Sequence, residues 1–371
     1  MAQETKNKLT QLLCQRIDQQ GPLTIADFMY EALQHPKYGY YNRPHVLGQK
    51  GDFVTAPEIS QIFGELIGLW MLERWQSMGE PQSFSLIELG PGRGTLLCDL
   101  LRAAQLMPAF LEAADVHLVE SSANLREVQR KKLADFSPTW HNDITTLPQK
   151  PSLIVANEYF DALPIRQFAK LKANKWREVL VGSNDTSELG YIMSEEIDPL
   201  QIVALGASSS SLETHDFVEV SPATSAQATL LADHLKSAGG SALFIDYGYQ
   251  QAEGYNSLQA VKDHQKHDPL YEVGTADLTA HVDFEQLTRC FSQRGMNTFG
   301  PVAQGAFLSA LGLEARLNNL VQNASPSEER ELRSGAERLV ASEKMGDLFK
   351  VLAVSSSPQT PPGFPYPNQN N

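Results

Sequence analysis

The sequence predicts an α/β fold, a largely parallel sheet with helices on both faces. Two observations carry this expectation. Short apolar runs alternate with stretches of helical spacing from Ser85 to Asn157. Between the first run and its helix lies a glycine-rich turn, in SLIELGPGRGTLLCDLL (85–101).

The elements follow in order. Residues 4–20 place Leu9, Leu12, Leu13 and Ile17 at helical spacing, and Gly21-Pro22 stops that helix. Thr24 caps a second short helix, IADFMYEALQ. A loop rich in aromatics and glycine follows, HPKYGYYNRPHVLGQKGDFVTAPE. Loops this long are usually functional, so Tyr38–Tyr41 are expected to form a lid over a pocket, with packing beneath the N-terminal helices as the alternative. A long helix is expected from Glu58 to Met78, closed by Gly79. Strands are expected at Ser85–Leu89, Val116–Glu120, Thr139–His141 and Leu153–Asn157, with helices at Gly94–Ala104 and Ala123–Ala134.

Residues 166–181 alternate about Ala173-Asn174 and read as a β-hairpin. Residues 182–215 are polar, Ser-rich and patternless, and are expected to form an exposed excursion. The sheet resumes at ALFIDYG (242–248), followed by a helix at Phe284–Gln293 and a strand near Asn297–Val302. Two or three helices fill 304–341, and LFKVLAVS (348–355) supplies the last strand. The tail, SPQTPPGFPYPNQNN, has too little apolar surface to fold alone. The expected organisation is therefore N-terminal helices and a lid loop (1–80), a sheet core (81–303 and 342–356) carrying the 166–215 hairpin and excursion, a helical insertion (304–341) and a disordered tail (357–371).

A chain of 371 residues, 42% of them hydrophobic, can bury a sizeable core. Its formal net charge of −14 repels phosphate backbones and anionic lipid, which argues against nucleic-acid or membrane binding as the main role. A basic protein substrate suits that surface better. Cys14, Cys98 and Cys290 fit no disulfide framework or zinc spacing and read as reduced thiols. The opening MAQETKNKLTQLL has no apolar core of a signal peptide, and Glu65 and Glu73 interrupt the most apolar segment, so a cytoplasmic protein without membrane insertion is expected.

Strand, glycine turn and helix N-terminus together form an anion or nucleotide site. Gly90, Gly92 and Gly94 are spaced GxGxG, with Thr95 where a dinucleotide fingerprint would carry its third glycine, and Glu88 lies two residues before Gly90. This E-x-G-x-G-x-G pattern resembles the first motif of Rossmann-like, class I S-adenosylmethionine-dependent methyltransferases. Such a ligand has no pyrophosphate, so the glycines pass its ribose and methionine portion while a carboxylate helps hold its cationic end. Glu120, at the end of the second strand, can accept both ribose hydroxyls. Asp143 follows the third strand, where these enzymes often read the adenine amino group. Asn157, Glu158 and Asp161 lie just past the fourth, and the crevice beyond the strand ends is the ligand side of such sheets. Asp246 and Tyr247 either line the same pocket or end a strand. The resemblance also implies an antiparallel last strand.

Longer blocks sharpen this. GDFVTAPEISQIFGELIG (51–68), IELGPGRGTL (87–96), NEYFDALPIRQF (157–168), ADLTAHVDF (276–284), QGAFLSALG (304–312) and MGDLFKVLA (345–353) together resemble the MidA family of S-adenosylmethionine-dependent methyltransferases. Mitochondrial members of that family are complex I assembly factors regarded as protein arginine methyltransferases; this chain reads as a bacterial member. The resemblance implies S-adenosylmethionine as cofactor and a protein substrate, a respiratory-complex subunit among the candidates. Glu88, Gly90, Gly92, Gly94, Glu120, Asp143 and Asn157 are the expected cofactor residues.

Glu158, Asp161 and Glu58 are the expected catalytic residues, because a protonated guanidinium needs acids to bind it and localise its charge. Two rivals stay open: a small-molecule or O-methyltransferase, with His281 as a base, and a cofactor-binding assembly factor without turnover. Oligomeric state is also open, a homodimer included. His264, His267 and Asp268 suggest a metal only with a third cluster, for which His281 and Asp283 are the sole candidates, so no metal is expected. His281 could equally cap the helix that begins at Asp283.

Overall fold

A computed structural model describes residues 7–43, 55–171, 175–251 and 253–365. The chain divides into two compact units: Met1–Phe53, Phe160–Ala226 and Gln251–Leu287 form one, and Val54–Tyr159, Gln227–Gln250 and Thr288–Asn371 the other.

The second unit holds the main sheet. Its strands are β1 (Phe84–Leu89), β2 (Ala114–Val119), β3 (Thr139–His141), β4 (Ser152–Asn157), β5 (Gly240–Tyr249), β6 (Asn297–Ala303) and β7 (Phe349–Ser355). Their order is β6-β7-β5-β4-β1-β2-β3. The first five run parallel, and β7 lies antiparallel between β5 and β6. Every residue of β1, β4 and β5 is buried, which is why these strands read as unbroken apolar runs.

Helices cover the sheet. The expected helix from Glu58 is broken. A short turn, Ala56–Ile59, ends at Ser60, whose extended backbone (φ −156°) caps the long helix α1 (Gln61–Ser77). Ser60 favours caps over helix interiors because its hydroxyl competes for backbone groups; here it accepts from the Ile62 N–H at 3.3 Å. Helix α1 lies close against α2 (Thr95–Ala104): a Cβ at Gly64 would stand 2.6 Å from Asp99 Cβ, and one at Gly68 2.8 Å from the Leu100 carbonyl. Glu65, buried in α1, is matched by Arg102 and Arg316 at 3.0 and 2.7 Å. Among the described residues no helix is long and apolar enough to cross a membrane.

Helix α3 (Ala123–Lys132) follows β2, and three helices fill the 304–341 stretch: Gln304–Ala310, Leu313–Val321 and Pro326–Val340. The tail departs from expectation as far as residue 365. Phe364 is buried against Phe307, and Pro362 O accepts from the Trp70 indole at 3.2 Å. A segment unable to fold alone can still dock its one large ring on a core that others build.

In the first unit, helices Lys8–Gln20 and Ile25–Gln34 form as expected, the second capped by Thr24, whose hydroxyl accepts from the Asp27 N–H at 3.0 Å. The hairpin also forms, from Arg166–Leu171 and Lys175–Ser183. The 182–215 excursion is structured instead. Leu189–Ile197 pairs antiparallel with Lys175–Ser183, and Ile202 and Leu212 from two short helices join Phe168 and Trp176 in a small core. Tyr191, Ile192 and Met193 are consecutive and all exposed. Backbone pairing rather than burial makes this strand, so no alternation marks it.

The lid expectation is also corrected. Tyr40 is buried, and Tyr38 and Tyr41 pack on the cluster that includes Leu9, Phe28, Met29 and Leu33. Rings of this size gain more from that burial than from solvent. The rest of that loop, 44–54, lies outside the described residues.

Candidate cofactor and active site

In the second unit the C-terminal ends of the parallel strands carry most of the predicted residues. After Leu89 the chain turns through Gly90, Gly92 and Gly94 with φ of +60°, +52° and +74°. This left-handed region is open to glycine at little cost. The turn is also crowded, since a Cβ on Gly90 would stand 2.9 Å from Tyr159 Cδ2. Gly94 is the N-cap of α2, and no side chain caps that end.

Glu88 is buried one residue before the end of β1. Burial pushes its carboxyl up to about 8, against the pull of Lys132 and the Leu97 N–H. Its Oε2 is buried without a partner among the described residues. Glu120 follows β2 and is buried. Its Oε1 accepts from the Ser122 N–H at 2.7 Å and its Oε2 from Gln129 Nε2 at 3.2 Å. Burial raises its pKa, and those two donors oppose the rise. Asp143, after β3, is exposed. It accepts from the Thr145 N–H at 2.8 Å and from the Thr145 hydroxyl, bonds that lower its pKa.

Asn157 ends β4. Its Nδ2 donates to Glu158 Oε1 at 3.0 Å, and its Oδ1 is buried without a partner among the described residues. Glu158 has φ +50°, unusual for a residue with a Cβ. Its N–H donates to the Ile245 carbonyl at 2.9 Å, and its Oε1 accepts from the Ala56 N–H at 3.2 Å. Glu58 is engaged elsewhere, accepting from the Thr95 hydroxyl at the first residue of α2; Lys132 in turn donates to that hydroxyl. Tyr159 donates its N–H to Asp246 Oδ2 at 3.1 Å. Its hydroxyl is pushed up to about 12 by burial, with the carboxylates of Glu120 and Asp143 adding to the effect.

The structure thus brings Glu58, Glu88, the three glycines, Glu120, Asp143, Asn157 and Glu158 into one unit. Asp161 belongs to the other, where its carbonyl accepts from the Ala280 N–H at 2.9 Å and its charge helps raise the pKa of buried Tyr41. Asp246 and Tyr247 lie within β5. Asp246 accepts from two backbone N–H groups, and the Tyr247 ring meets Phe349 edge-on. His281 accepts or donates at Tyr255 rather than capping; Asp283 Oδ1 caps that helix through the Gln286 N–H at 2.9 Å. Among the described residues no group of three His, Cys, Asp or Glu is placed to hold a metal.

Two residues escape a motif reading. Tyr159 closes on Gly90, and Gln129 touches Gly92 and Glu120. The second had a signal: Leu125, Gln129 and Leu133 recur every four residues, so the amide shares the inward face of its helix.

S-adenosylmethionine suits this set. It presents donors (ribose hydroxyls and an ammonium) where Glu88, Glu120 and Asn157 present buried acceptor oxygens, and the left-handed turn leaves no Cβ to obstruct it. When bound, the cofactor supplies an activated methyl group on a sulfonium.

Comparison with known proteins agrees. Residues 66–302 match a family model described as "Putative S-adenosyl-L-methionine-dependent methyltransferase". The protein arginine methyltransferase NDUFAF7 homolog of Drosophila melanogaster, a mitochondrial protein, is 38% identical over 95% of this chain and 86% of its own length. Its Mus musculus counterpart is 37% identical over 92% and 83%. The crystal structure of a Burkholderia thailandensis protein bound to S-adenosyl-homocysteine superposes with a TM-score of 0.82 at 26% identity, covering 96% of this chain and 93% of that one. Fold, turn geometry and these matches converge, and the chain belongs to this family of S-adenosyl-L-methionine-dependent methyltransferases.

Proposed function

We propose that the methyl acceptor is an arginine guanidinium of a protein, and that Glu158 is the acid that receives it. The observation that carries this reading is the backbone of Glu158. It is held at φ +50° just past β4, with its carboxylate tied by the Ala56 N–H and Asn157 Nδ2. Left-handed backbone at a residue with a Cβ costs on the order of 1 kcal/mol, and such costs concentrate where chemistry needs a side chain aimed. Relatives named protein arginine methyltransferases support the choice of acceptor.

The guanidinium arrives protonated and is a poor nucleophile. The Glu158 carboxylate draws its positive charge toward one side, leaving the opposite nitrogen richer in electrons to take the methyl group, and the proton that this nitrogen then gives up passes to solvent. The proposal rests on Glu158 because its left-handed backbone is the feature that aims a carboxylate. Glu88, Glu120, Asn157 and the glycine turn hold the cofactor, and Asp143 reads its adenine.

The test is methyl transfer from isotope-labelled S-adenosylmethionine into a cell lysate, with mass spectrometry of the labelled material. Methylarginine in a protein band supports the reading. Label confined to small molecules or to oxygen overturns it, and cofactor binding with no labelled product favours an assembly factor.

A further inference from the structure

Gln129 on helix α3 joins three loops and strands at the C-terminal side of the sheet. It is fully buried. Its Nε2 donates to the Gly92 carbonyl at 2.7 Å and to Glu120 Oε2 at 3.2 Å, while its Oε1 accepts from Trp140 Nε1 at 2.8 Å. One amide therefore joins the glycine turn after β1, the acid after β2 and strand β3. Its Cγ also lies 3.6 Å from where a Cβ on Gly94 would stand.

The direction of the amide is set by chemistry. An indole N–H can only donate, so Trp140 must face the amide oxygen. The NH2 group is then left for the two acceptors. Trp140 is itself held by Arg130, whose guanidinium lies 5.0 Å from the centre of its ring.

We infer that Gln129 is a positioning residue for the cofactor. It holds Gly92 in the turn and orients Glu120, with Trp140 fixing which end of the amide faces them. This rests on the assignment of Glu120 to the ribose and not on the identity of the methyl acceptor. A ligand diol needs both carboxylate oxygens at set angles, and Ser122 and Gln129 each hold one. Without the amide, Glu120 Oε2 loses its protein donor while Oε1 keeps Ser122, and the Gly92 carbonyl loses its tie to α3.

The test is calorimetric titration of the full chain with S-adenosylhomocysteine, alongside thermal melts of the unliganded protein. Gln129→Met keeps the volume and removes every hydrogen bond, and should weaken binding roughly ten- to a hundredfold. Trp140→Phe removes the orienting donor together with part of the ring under Arg130, and should weaken it about three- to tenfold. Gln129→Glu gives a readout that general packing would not. Its carboxylate would face Glu120 and the Gly92 carbonyl, with Arg126 beside Glu120 and Arg130 over the Trp140 ring as nearby cations. Once protonated, it again offers one donor and one acceptor. Its affinity relative to wild type should recover as pH falls from 8 to 6, with the wild-type protein titrated over the same range to subtract the contribution of the other buried carboxyls. Binding within twofold of wild type in both Gln129→Met and Trp140→Phe overturns the inference, as does a pH-independent defect in Gln129→Glu. Glu120→Ala separates the two readings. Unchanged affinity there removes Glu120 from the ribose and the inference with it, whereas lost affinity in Glu120→Ala with none lost in Gln129→Met sinks the inference alone.

Discussion

After β1 the chain turns left-handed at three glycines; after β4 it turns left-handed at one glutamate. The two turns meet at Tyr159, whose ring covers Gly90 and whose N–H is held by Asp246. In the first, composition makes the conformation inexpensive, and the absence of side chains leaves room for a ligand. In the second, hydrogen bonds from Ala56, Asn157 and Glu158 itself hold a side chain in a conformation it would not choose. On the proposed reading, the first turn receives the cofactor and the second aims a charge. Damage to the first should appear in binding, and damage to the second in rate.

The largest effect is expected from Gly90→Val. A branched Cβ at φ +60° is strained and collides with the Tyr159 ring 2.9 Å away. S-adenosylhomocysteine binding should fall by roughly a hundredfold or more, on a scale of about 1.4 kcal/mol per tenfold. Calorimetry checks this, with circular dichroism to show that the sheet persists. Binding at wild-type strength would remove the glycine turn from the site.

Glu158→Gln should do the opposite. Gln retains an acceptor for Ala56 but loses the charge. Cofactor affinity should stay within about twofold, while single-turnover methylation falls on the order of a hundredfold, the range seen when one electrostatic stabiliser is removed. The paired measurement matters: a loss of affinity with rate restored at saturating cofactor would move Glu158 to the cofactor side of the comparison.

A pH dependence follows from Glu88. Its value of about 8 lies above the ordinary 4.5, so the folded protein holds that proton more tightly than the unfolded chain. The resulting stabilisation is complete below pH about 4.5 and is lost as pH rises toward 8, by something on the order of a few kcal/mol. Chemical denaturation of the unliganded protein should therefore show stability falling between pH 5 and 8, and Glu88→Gln should flatten that slope. An unchanged slope in the variant would mean that Glu88 is already ionised. The smallest effect is expected at Asp143, exposed and satisfied by Thr145. Asp143→Ala should weaken S-adenosylhomocysteine by about two- to fivefold, the scale of a single solvated hydrogen bond. A loss above fiftyfold would show that the turn after β3 closes over the ligand.

How far each turn could be read in advance follows from the same contrast. Gly90, Gly92 and Gly94 stand out in any reading because glycine spacing between an apolar run and a helix is a local signal. Glu120 and Asp143 were reachable by counting strands, since each acid falls where its strand ends. The backbone of Glu158 was not reachable, because Ala56 is 102 residues away along the chain. Nor was the engagement of Glu58 with Thr95, 37 residues on. Gln129 left a helical period but no motif.

By itself the sequence determined the parallel sheet, its glycine turn, the acids at its strand ends and the family, because apolar runs, glycine spacing and acid positions are properties of neighbouring residues. Tertiary structure alone decided that Tyr38, Tyr40 and Tyr41 pack on the N-terminal helices, that 189–197 is an edge strand, that Phe364 docks, and that Glu58 accepts from Thr95. Each of those outcomes depends on burial or a hydrogen-bond partner brought from far along the chain. Composition reports what a segment can do, and only the fold supplies the surface against which it does it.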